Sequence, residues 1–102
     1  MRYRLSYLPL FWSDLNEAAT YVSDTLGNPA AARRLVDEAE RGILSHLENP
    51  TFGRVWRGGA GRSRTHYWFP VGNYMVFYVV DGDMMEVRRF LYGARDLGSL
   101  GL

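Results

Sequence analysis

At 102 residues the chain has room for one domain built on a single hydrophobic core, and none for a second. A composition of 47% hydrophobic and 15% aromatic residues excludes a disordered segment, and the lack of cysteine excludes disulfides and thiolate metal sites. The net charge of +1 does not imply bulk affinity for nucleic acid, and it hides an asymmetry: 5 arginines stand against 7 acids in residues 1–51, and 7 against 4 in residues 52–102.

All 12 basic residues are arginine, whose planar fork suits carboxylates and phosphates. The longest uncharged run, residues 65–80, contains Pro70, Gly72 and Asn73 and falls short of the ~20 apolar residues that span a bilayer. Neither a signal peptide nor a membrane span is expected, and the cytoplasm is the expected location.

Tyr3, Leu5 and Tyr7 alternate with Arg4 and Ser6, the period of a half-buried strand, closed by Pro9. From Phe11, the residues Leu15, Ala18, Val22 and Leu26 recur at helical spacing up to Gly27, so a helix is predicted there. Its start is open between Pro9 at the first helical position and Ser13 as a later cap. Asn28-Pro29 then reads as cap and first turn of a second helix, with Ala32, Val36, Ala39, Ile43 and Leu47 on one face. On its other side Arg33 and Asp37, Arg34 and Glu38, and Asp37 and Arg41 are spaced as exposed ion pairs.

Residues 50–61 have no period and hold Gly53, Gly58, Gly59 and Gly61, so they read as a long loop. Residues 63–69, 74–80 and 84–92 read as three strands joined by connectors short enough for hairpins, with 74–80 central. The predicted class is α+β in the order β-α-α-β-β-β, a helical hairpin packed on a small, mainly antiparallel four-strand sheet, in one domain over residues 1–102. His46 and His66 are too few for a metal pattern, and Ser99 lacks the context of a nucleophile elbow. No metal, cofactor or catalytic residue is assigned.

That order, together with Asp14-Leu15, Tyr21-Val22, Leu47 followed by Pro50 and Gly53, the strand Tyr74-Met75-Val76-Phe77-Tyr78, the turn Asp81-Gly82-Asp83 and the stretch from Val87 to Leu97, resembles the RelE/ParE toxins of toxin-antitoxin systems. The closing stretch is similar to an Arg-x-x-His-Gly-x-Arg-Asp exit, with Tyr92 in place of the histidine.

RelE-type members are messenger ribonucleases acting in the ribosome, whose chemistry needs a proton acceptor and cations at the phosphate. Here Met75 stands where many of them carry an arginine, no lysine is present, and residues 97–102 hold no tyrosine. The resemblance therefore favours the ParE branch, which implies a plasmid-stabilisation toxin that inhibits DNA gyrase by binding and is neutralised by a ParD-like antitoxin in a hetero-oligomer. The alternatives are ribosome-dependent RNA cleavage, and a non-toxic member that retains antitoxin binding. On the ParE reading, Arg95, Asp96, Arg89 and Tyr92, with Arg57, Arg62 and Arg64, form the target-binding surface, and Trp12, Ala19, Tyr21 and Leu35 the antitoxin contact. Each has a structural alternative: Arg95-Asp96 as a pair fixing the tail, Arg89 as the partner of Glu86 or another acid, and the tryptophans as core or lid. Trp56, flanked by Arg54 and Arg57, is the best candidate for a stacking platform.

Overall fold

The computed structural model describes residues 2–56 and 64–93. Strand β1 (Arg4–Tyr7) leads into α1 (Pro9–Thr20), a π-helical turn (Tyr21–Thr25) and α2 (Pro29–Leu47). A 3₁₀ turn (Pro50–Phe52) and the short β2 (Arg54–Val55) come next, then β3 (Tyr67–Val71), β4 (Tyr74–Asp81) and β5 (Met84–Tyr92). The five strands lie in the order β1-β5-β4-β3-β2, so β4 is central, as its apolar residues on both faces require. β1 runs parallel to β5, and every other pairing is antiparallel.

The class and element order agree with the sequence, but the sheet has a fifth strand. Arg54 and Val55, within what reads as a loop, pair with Trp68 and Tyr67. Two residues are too few to show a period. The strand predicted from residue 63 begins at Tyr67 and runs through Pro70, which is tolerated because β2 stops opposite Trp68 and leaves β3 an edge strand at that point. The connectors shrink to Gly72-Asn73 and Gly82-Asp83, with φ of +57° and +61° at the glycines, the pattern of type II′ hairpin turns.

Pro9 is the first residue of α1, which settles its start, and Asn28 Oδ1 accepts the Ala31 N–H at 3.0 Å to cap α2. Phe11, Leu15 and Ala18 of α1 are buried on the sheet, but the stripe does not continue to Leu26. The Leu26 N–H bonds the carbonyl of Tyr21, five residues back, so the chain gains a residue in that turn. The extra residue rotates the end of the helix away from the sheet, and Leu26 is 59% exposed.

The main core joins the helix stripes, including Ala39 and Ile43, to Phe69, Val71, Val76, Tyr78, Met85, Val87 and Phe90. That Val87 and Phe90 share a face is the work of a bulge. Phe77 pairs with Arg89 and Tyr78 with Val87, so Arg88 has no partner residue and the alternation changes phase. Leu91 is thereby turned to the opposite face, where it joins Phe77, Met75, Trp56 and Trp68 in a second cluster.

Candidate functional site

One polar contact fastens the helical hairpin to the sheet, and another fastens the turn that follows it. Asp14 on α1 accepts from Arg89 Nε at 2.7 Å and Nη2 at 3.1 Å, and from the Phe90 N–H at 3.0 Å, in a site where the two side chains are only 11% and 20% exposed. The hydrogen bonds from Arg89 to Asp14 hold the guanidinium firmly protonated, against the cost of partial burial. β1 pairs with β5 only as far as Val87, so the Phe90 N–H lies beyond the end of β1 and is taken up by the Asp14 carboxylate instead. On the other side, the Tyr78 hydroxyl donates to the Pro50 carbonyl at 2.6 Å, and burial together with Tyr67 pushes this phenol far above its ordinary range. A side chain at Gly53 would collide with that hydroxyl, so glycine is required there by close approach.

The helix-free face of the sheet is apolar at its centre. The Trp56 ring stands edge-on to Phe77 at 5.5 Å, Arg54 lies 5.0 Å over the Trp68 ring, and Met75 and Leu91 complete the cluster. Trp56 is thus a lid rather than a free platform, and its indole N–H is buried without a hydrogen-bond partner among the described residues. Elsewhere on the strands Arg88 pairs with Glu86 at 2.9 Å, and Arg64 pairs with Asp81 at 3.4 Å. Among the described residues no group of three histidine or acidic side chains could hold a metal, and no helix is long and apolar enough to cross a membrane.

Among the described residues, those expected to meet a target do not form one patch. Tyr92 lies opposite Tyr74 at one end of β4, whereas Arg64 is tied to Asp81 at the other end. The ends are seven residue steps apart along the strand, about 23 Å at roughly 3.3 Å per step. The Arg89 guanidinium is engaged by Asp14 of α1 rather than by Glu86, which binds Arg88. Arg57, Arg62, Arg95 and Asp96 lie outside the described residues.

The residues expected to meet an antitoxin divide similarly. Ala19 lines an open groove of about 420 Å³ with Ala32 and Val36, where the two helices meet behind the π-helical turn. Trp12, 52% exposed and packed on the Tyr7 ring at 4.6 Å, lines a narrower gap further along the same pair of helices. Leu35 is packed against the main core. Tyr21 belongs to another recess, between the end of α1 and the adjoining ends of β4 and β5, with Glu17, Tyr74, Phe90 and Tyr92. No sequence period marks this recess, because its walls come from three elements.

A family model described as the ParE toxin of the type II toxin-antitoxin system parDE matches residues 5–97. The chain belongs to the ParE toxin family. A solved structure titled as a chromosomal ParDE TA system from P. aeruginosa superposes with a TM-score of 0.70 at 13% identity, over 88% of this chain and 95% of that one. At that identity the likeness concerns the fold, and it extends over the helical hairpin and the sheet together. No curated protein matches the chain in sequence comparison. The stretch matched to ParE includes Asp14, Pro50, Gly53, Tyr78 and Arg89, the residues of both fastenings.

Proposed function

We propose that the chain is the toxin of a type II toxin-antitoxin module, acting in the cytoplasm by binding and inhibiting DNA gyrase, and silenced by a ParD-like antitoxin in a hetero-oligomer. The observation that carries the choice of gyrase over RNA cleavage is the setting of Met75. It stands where RelE-type sequences place a cation, and it packs into the apolar cluster with Phe77, Leu91, Trp56 and Trp68. A phosphate whose charge increases during cleavage needs a cation at that place in the strand, and the Met75 side chain supplies none. Inhibition by binding needs only a complementary surface, for which Arg95 and Asp96, with Tyr92 at the end of β5, are the proposed contacts. Arg57 and Arg62 are proposed as further contacts, Arg64, tied to Asp81 at the far end of β4, would meet the target only at a separate point, and Arg89, held by Asp14, would position the strand that leads to Tyr92.

Expression of the chain without its neighbouring gene should arrest growth with induction of the DNA damage response, and co-expression with that gene should relieve both. Immediate arrest of translation, with no damage response, would instead favour the ribonuclease reading.

On the same reading, the antitoxin segment folds as a helix into the groove beside Ala19 and extends past Trp12. Leu35 would support that surface from beneath, and Tyr21 would border it. Ala19→Arg should fill the groove and weaken antitoxin binding by at least about tenfold, equivalent to about 1.4 kcal/mol, while the melting temperature of the free chain stays within about 2 °C. Calorimetric titration of the purified pair would measure it.

A further inference from the structure

We propose that the recess between the end of α1 and the adjoining ends of β4 and β5 binds a cationic side chain, with arginine preferred, presented by the protein partner that covers the helix face. The recess has a volume of about 180 Å³, room for several waters at roughly 30 Å³ each and so for a guanidinium head.

Its walls are aromatic and electron-rich. Tyr74 stacks on Phe90 with ring centres 4.9 Å apart and planes 10° from parallel, and Tyr92 stands edge-on to Tyr74 at 5.5 Å. Tyr21 and Tyr92 are 49% and 45% exposed, so about half of each residue is open to a ligand. Such rings attract a cation through their faces, and guanidinium adds planar stacking to that attraction.

The charges beside the rings are unbalanced in the matching sense. Asp14 lines the recess, but its carboxylate already accepts from Arg89 and the Phe90 N–H, so that pair is neutral. Glu17 lies one helical turn from both Asp14 and Tyr21, on the same side of α1, and has no ion-pair partner among the described residues. The Tyr74 phenol is raised above its ordinary range by burial first, then by Tyr21, Tyr92 and Glu17. Each of those three neighbours becomes negative when it ionises. A cation seated among them would gain a carboxylate for its N–H donors and aromatic faces for its plane.

The inference rests on the toxin-antitoxin reading only for the identity of the partner. The preference of the recess for a cation is a property of this chain alone. If it holds, the antitoxin would cover Tyr92 while docked on the helices, so that silencing and occlusion of one target contact would be the same event.

The test is a nuclear magnetic resonance titration of the full chain with acetyl-Gly-Arg-Gly-amide and with the peptide carrying citrulline, which keeps the shape and lacks the charge. The arginine peptide should shift the ring signals of Tyr21, Tyr74 and Tyr92 saturably, and the citrulline peptide should bind at least about fivefold more weakly. Glu17→Gln, at an exposed position, and Tyr92→Leu should each weaken arginine binding by at least about threefold without changing the melting temperature by more than about 2 °C. Equal binding of the two peptides, or an unchanged affinity in Glu17→Gln, would overturn the proposal. Binding seen only in Arg95→Ala would overturn it too, since the cation would then be the chain's own. If the arginine peptide binds while a ParD-like protein does not, the recess stands and the antitoxin reading falls.

Discussion

Gly53→Ala is expected to destabilise the protein by about 3 kcal/mol and to lower its melting temperature by more than about 10 °C. The new methyl group would collide with the Tyr78 hydroxyl, which is held at 2.6 Å from the Pro50 carbonyl in a buried site. Either the ring moves and the hydrogen bond is lost, or the turn at Pro50–Phe52 is pushed off the sheet. Overpacking of this kind costs about 1–3 kcal/mol, and a buried donor and acceptor left without each other add about 1–3 kcal/mol. Tyr78→Phe removes the atom that is struck. Alone it should cost about 1–2 kcal/mol, and Gly53→Ala combined with Tyr78→Phe should be more stable than Gly53→Ala by itself. Urea unfolding of the three variants checks this, and a double variant less stable than either single one would mean that the hydroxyl is not the obstacle.

Asp14→Ala should cost about 2–3 kcal/mol. It removes an acceptor of three hydrogen bonds, leaving a guanidinium that is only 20% exposed and the Phe90 N–H without a partner. Breaking a fully buried ion pair costs about 3–5 kcal/mol, and the figure is lowered here because both groups keep some contact with water. Asp14→Asn keeps an oxygen for the Phe90 N–H and should recover roughly half of the loss. If Asp14→Asn is no more stable than Asp14→Ala, the charge and not the backbone bond holds α1 to β5. Chemical denaturation followed by circular dichroism separates the two cases.

These two sites explain why the fold could be read from residues alone. Asp14, Pro50, Gly53, Tyr78 and Arg89 are among the residues that carry the resemblance to the toxin family, and in the structure they join the helices and the connecting turn to the sheet. A mark of this kind reports on architecture. The features that escaped sequence reading are those that interrupt a period: the two residues of β2, the extra residue in the turn at Tyr21–Thr25, and the bulge at Arg88 that moves Leu91 to the open face.

The candidate site was less legible for a different reason. Strand order does not tell which strand ends converge, so Arg64 and Tyr92 could be grouped by charge and motif and yet lie at opposite ends of β4. Tyr21 and Tyr92, assigned to separate surfaces, line one recess. Glu17 is an ordinary exposed helical acid until Tyr74 and Tyr92 are placed beside it. Trp56 stands between Arg54 and Arg57 in sequence, but its contact with Phe77 makes it part of the sheet's apolar cover.

The most direct test of gyrase inhibition by binding is a supercoiling assay with purified gyrase and relaxed plasmid, run beside a ribosome-dependent transcript cleavage assay with the same protein. The predicted result is loss of supercoiling that rises with toxin concentration and is reversed by a stoichiometric ParD-like antitoxin, with transcripts left intact. Transcript cleavage with gyrase unaffected would contradict it.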